Sequence, residues 1–214
     1  MEITEKTLVL ENSKELKKVA EFLEKSGHAV SYEMNFPGIL FIQIFREQIS
    51  STILNTFEEV SRSNWTYNIA FAFLNTAKSM NFQIRFEAEG KRDAIVQSYP
   101  DANGKLTTIL AAEWEWDSND VFGKDKEIEK LYRSSKTHDC EALLFTYVES
   151  QEYQNFLIKT IETWRSLSRG NKNLAMFLCV ITFKKEPGLR RFEAIRTVEI
   201  GPEDIRIWED KFLA

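Results

Sequence analysis

A chain of 214 residues, 43% apolar and 29% charged, has the size and composition of one globular domain with a sizeable core. Its net charge of −5 argues against a surface that binds nucleic acid all over, but it is compatible with a local basic groove. No apolar run approaches the roughly 18–20 residues that cross a bilayer, and the opening Met-Glu-Ile-Thr-Glu-Lys has neither the basic nor the apolar region of a signal peptide, so no membrane partner is expected.

Ser13 to Lys25 has the pattern of an amphipathic helix, with Leu16, Val19, Ala20, Phe22 and Leu23 on one stripe. Asn35-Phe-Pro-Gly38 reads as a turn between two short strands, the second being Ile39 to Phe45. Residues 48–60 read as helical. Asn64 to Ser79 is a helix with Ile69, Phe73, Leu74, Ala77 and Met80 turned inward. Phe82 to Glu87 alternates as a strand. Ala94 to Tyr99 and Leu106 to Glu115 form a hairpin around Asn103-Gly104. Ile109 to Ala112 is apolar on both faces, as suits a central strand covered on two sides.

Lys124 to Ser134 follows as a helix, Ala142 to Val148 as a strand and Gln151 to Ser168 as a long helix. Leu174 to Phe183 and Arg191 to Ile200 make a second hairpin. The order is that of an α/β layer structure with a mixed sheet flanked by helices. One domain spans 1–214, with an N-terminal extension over 1–60, a core over 64–150, and a helix plus hairpin over 151–214. Cys140 and Cys179 have no metal spacing or disulfide framework and read as buried free thiols of a cytoplasmic protein.

The first hairpin carries acids where a sheet tolerates them poorly: Asp93 at the start of one strand, Glu113 and Glu115 at the end of the other. Glu113 and Glu115 share a face because side chains alternate. Whether Asp93 joins them depends on register. A loop with an odd number of residues sets Asp93 opposite Glu113, and the three acids then converge. A two-residue Asn-Gly turn sets Asp93 opposite Trp114 instead, unless a bulge intervenes. Solvated strand ends are the plainer explanation of the same acids.

The order of elements over residues 64–150, taken with these acids, resembles the PD-(D/E)xK nuclease superfamily, the restriction-endonuclease-like fold. Phe82 to Glu89 stands in the place of its first strand. Arg92-Asp-Ala-Ile-Val96 matches the strand bearing Asp. Ile109-Leu-Ala-Ala-Glu-Trp-Glu115 matches the strand bearing Glu-x-Lys. Glu127 to Leu131 and Ala142 to Val148 match the helix and strand that follow. Two features depart from the pattern: Glu115 stands in the Lys position, as in some type II restriction enzymes, and Asn64 to Ser79 supplies no acid.

The resemblance implies a nuclease hydrolysing DNA phosphodiester bonds with Mg²⁺ or Mn²⁺. Asp93 and Glu113 would ligate the metal, and Glu115 would be a further ligand or general base. It also implies a homodimer that cuts two strands. The departures suit the alternative of a catalytically inactive binding module. Lys91 and Arg92 would meet a phosphate beside the metal. Lys184, Lys185, Arg190 and Arg191, on a turn between strands, are the other candidate DNA contacts. Trp114 is expected to pack under the long helix, and Asp101 to serve the turn. Asp117 and Asp120 are assigned to the loop that caps the next helix.

Overall fold

The computed structural model describes residues 25, 38–54, 62–88, 92–171, 174–186, 189–208 and 210–213. The expected helix over Ser13 to Lys25, the Asn35 turn and the strand before it lie outside these residues, Lys25 and Gly38 apart. Helices α1 (Gly38–Leu54) and α2 (Arg62–Ser79) precede the sheet. Strands β1 (Gln83–Ala88), β2 (Arg92–Gln97) and β3 (Thr108–Glu115) follow as an antiparallel meander. Helix α3 (Glu127–His138) leads to β4 (Glu141–Glu149), and α4 (Tyr153–Leu167) leads to β5 (Met176–Glu186). Strands β6 (Leu189–Ile200), β7 (Ile205–Ile207) and β8 (Lys211–Phe212) close the chain.

The sheet runs β1-β2-β3-β4-β5-β6-β7, with β8 paired to β6. β3, β4 and β5 are parallel, and the other pairs are antiparallel. Parallel neighbours need crossover helices, and successive right-handed crossovers moving the same way across a sheet fall on one face. α3 and α4 accordingly cover one face together, against Ala111, Leu144, Leu178 and Val198. α1 and α2 cover the other, against Ala112, Trp114, Phe145 and Phe177. The fold is a mixed α/β sheet flanked by helices.

One expected element changes type. Ile39 to Phe45 belongs to α1 and is not a strand. A short apolar run fits a strand or a buried helix equally, and spacing beyond the run decides. Ile39, Ile42, Phe45 and Ile49 are all buried, which is a helical stripe. β7 and β8 were absent from the sequence reading because each is too short to show alternation.

Phe45 shows how α1 is held. Its ring lies 4.5 Å from that of Phe73 on α2 and 5.3 Å, edge-on, from that of Phe145 on β4. Phe45→Ala is expected to cost about 3–5 kcal/mol. Urea unfolding checks this, and a cost under about 1 kcal/mol would mean that α1 does not pack there.

The hairpin register follows from one extra residue. Ser98 donates its backbone N–H to Thr107 O, and Gln97 pairs with Thr108. The next pair is Val96 with Leu110, so Ile109 is a bulge. Ala94 then faces Ala112, and one further step sets Asp93 opposite Glu113. Without the bulge Asp93 would face Ala112, on the opposite side of the sheet from Glu113. The turn itself is wider than Asn-Gly. Asp101 Oδ1 accepts the N–H groups of Asn103 and Lys105, and Gly104 takes a φ of 76°.

A candidate acidic site at the end of strand β3

Asp93 and Glu113 meet on the face covered by α3. Asp93 Oδ2 accepts the Trp114 N–H at 2.7 Å, which fixes the carboxylate against the neighbouring strand. Glu113 is 1% exposed, and among the described residues its Oε1 has no hydrogen-bond partner. Both carboxyls line a cavity of about 190 Å³ at the carboxyl end of β3. Trp65 and Thr66 of α2 and Glu127 and Lys130 of α3 complete its walls. Open α/β sheets bind ligands outside these strand ends, because loops and helix termini leave a crevice there.

Sequence reading missed Lys130 and Glu127. Lys130 Nζ lies 3.0 Å from Glu127 Oε1 and 3.9 Å from Glu113 Oε2. The signal was present: Glu127 falls on the buried stripe of α3 with Ile128, Leu131, Ser134 and Ser135. A charge on a core-facing stripe needs a partner, and Lys130 one turn later supplies it.

Burial raises the Glu113 carboxyl to about 8, and the neighbouring Asp93 adds to the effect. Burial also raises Asp93, to about 6, against the Trp114 N–H and Lys130, which favour its charged form. Burial opposes the charge on Lys130, but Glu113 and Glu127 outweigh it, and the ammonium is held above its usual range. At neutral pH burial therefore favours a proton shared within the pair. Such displaced carboxyls in a cleft are a common mark of a functional site.

Glu115 reaches the same cavity, but its Oε1 accepts the N–H groups of Trp116 at 2.7 Å and Asp117 at 3.2 Å. Among the described residues there is no group of three or more acidic, histidine or cysteine side chains set to hold a metal. Two carboxylates remain, which suits Mg²⁺, an ion that keeps most of its waters and takes one or two protein carboxylates. The unpartnered Glu113 oxygen is what such an ion would use.

Arg92 opens β2 beside Asp93 but does not line the cavity, and Lys91 lies outside the described residues. The basic hairpin divides. Lys184 pairs with Glu193 at 2.6 Å and Arg191 with Glu186 at 3.8 Å, whereas Lys185 and Arg190 line a second cavity. Trp114 packs against Phe73 of α2, not the long helix, because alternation sends it to the face opposite Glu113. Asp120 pairs with Lys126, and Glu129, not an aspartate side chain, takes the Asp125 N–H before α3. Cys140 and Cys179 are buried free thiols, raised to about 12 and about 11 by burial.

No helix among the described residues is long and apolar enough to cross a membrane. No family model and no curated protein sequence matches the chain. Among solved structures it is similar to the central domain of yeast acetyl-CoA carboxylase, at 13% identity and a TM-score of 0.38. That alignment takes in 91% of this chain but 33% of the other, and a likeness this weak carries no argument about fold or function.

Proposed function

We propose that the chain is a metal-dependent nuclease of the restriction-endonuclease-like fold, acting on DNA at the cavity formed by Asp93, Glu113 and Lys130. The observation that carries this reading is the convergence of one buried carboxyl, one half-buried carboxyl and one ammonium at the end of β3. The element order supports it. A helix, three strands, a helix and a strand is the order the resemblance implies, and the same order runs from α2 to β4.

Asp93 and Glu113 would hold one Mg²⁺ or Mn²⁺, which when bound neutralises phosphoryl oxygens and lowers the pKa of a water. Lys130 contributes the positive charge that Glu115 does not supply from the strand. Its ammonium, 3.9 Å from Glu113, is placed to steady a phosphate oxygen or the attacking water. Glu127 orients it. Trp65 and Trp116 line the cavity beside these groups.

A plasmid-nicking assay with Mn²⁺, Mg²⁺ or EDTA tests the proposal. Nicking by the native chain that needs metal and is lost in Glu113→Gln is the expected result. No cleavage under any metal, with DNA binding retained, would favour the inactive binding module. The observation on that side is that Glu115 is occupied by two backbone N–H groups. Sedimentation with and without duplex DNA tests for the homodimer.

A further inference from the structure

A second cavity of about 160 Å³ adjoins the acidic one, and Trp116 lines both. Trp116 is held in place on several sides. Its ring lies 6.0 Å from that of Trp65 and 5.0 Å from that of Tyr147, both edge-on. The Arg190 guanidinium sits 4.6 Å from the Trp116 ring and 4.6 Å from that of Phe183. Tyr147 is itself stacked on Phe192, at 5.2 Å and 22°. The result is a cluster in which the Arg190 guanidinium lies against both Trp116 and Phe183, with Trp116 half-buried at its edge.

Strand alternation delivers Arg190 to this place. Lys185 pairs across the hairpin with Arg190, and Lys184 with Arg191. Directly paired residues share a face, so one pair meets Glu193 and Glu186 while the other turns to the cavity. The remaining charged lining is acidic, Asp117, Glu149 and Glu152, with the polar Ser118 and Asn119 beside it.

We propose that this second cavity binds one unpaired nucleobase of a DNA strand, stacked on the Trp116–Arg190 cluster, next to the phosphate held in the acidic cavity. The proposal rests on the nuclease reading of that cavity and names its substrate as single-stranded or frayed DNA. A phosphate alone would meet the carboxylates of Glu149 and Glu152. A base edge presents donors and acceptors together, and suits a lining that offers both. An aromatic and guanidinium platform stacks any base, which serves strand recognition without sequence reading. A base inside a duplex cannot reach such a pocket without leaving its stack.

The test is a binding titration of the full chain in EDTA, with a short fluorescein-labelled DNA single strand and versions carrying one abasic site at each position in turn. Cleavage of the same strands in Mn²⁺ is measured separately. One abasic position is expected to weaken binding by about tenfold or more. Trp116→Ala should bind all the strands equally. Arg190→Lys keeps the charge but loses the plane, and should lose most of the discrimination as well. An abasic scan that is flat for the native chain overturns the subsite, as does Arg190→Lys binding like the native chain. If the abasic penalty is present but Mn²⁺ gives no cleavage, the nuclease reading falls and base binding stands. If cleavage proceeds with no abasic penalty, the subsite alone falls.

Discussion

Lys130→Met is expected to reduce DNA cleavage by about 10²- to 10⁴-fold while leaving metal binding in place. The two effects separate because Lys130 is a cation and ligates nothing. Its removal takes a positive charge from beside Glu113 and Glu127 without touching either carboxylate. The carboxyl of Glu113, already raised to about 8, would rise further. The variant should therefore need a higher pH to take up metal, and Mn²⁺ should still raise its thermal midpoint once bound. Initial cleavage rates with saturating Mn²⁺, beside melting curves, check both halves. Undiminished cleavage would remove Lys130 from the chemistry.

The metal-free protein should lose stability as pH rises from about 5 to 8.5. Glu113 has a folded value of about 8 against an ordinary 4.5, and Asp93 of about 6 against 3.8. Between the ordinary and the folded values the native state holds protons that the unfolded chain has released. Stability is then fully present below the ordinary values and declines as pH climbs through the folded ones. Each proton contributes at most about 1.4 kcal/mol per pH unit. Glu141, raised to about 7 by burial and by Glu199, adds a slope of the same sign. Glu113→Gln cannot ionise and should flatten its own share of the slope, leaving that of Glu141. Metal should reverse the trend, since binding displaces the shared proton and tightens by up to about tenfold per pH unit below 8. Melting curves across this range, with EDTA or Mn²⁺, decide the matter. A flat native profile in EDTA would mean that the two carboxyls are not coupled by burial.

The layer order of the core was legible because its elements have strong periods. β4 is nearly all apolar and bounded by polar residues, and α4 carries a clear stripe. α1 was misread over Ile39 to Phe45 because seven apolar-rich residues fit both periods. Asp93 and Glu113 could be named as candidates but not joined, since their meeting depends on Ile109 bulging. Bulges follow from how a turn closes and how the next strand stacks, and no single residue type announces them. Lys130 was signalled only indirectly, through Glu127 on the buried stripe of α3. It is one of many lysines, and only the packing of α3 on β3 and β4 brings its ammonium to the strand end. The basic hairpin was visible as a run of charge, but its division into a neutralised half and a half beside Trp116 needed the cross-strand pairs.

The two carboxyls sit on strands of unequal permanence. β3 has β4 and then β5 beyond it, with most side chains sealed on both faces. Among the described residues β2 has only β1 beyond it, and Arg85, Phe86 and Glu87 of β1 are exposed. Amide hydrogens of β4 and β5 should exchange with solvent only when the whole domain opens, whereas those of β1 and β2 should exchange through local fraying. An ion shared by Asp93 and Glu113 would clamp the fraying margin to the slow-exchanging centre. Its arrival would be read in deuterium uptake as a slowing concentrated in β1 and β2, with β4 and β5 barely changed.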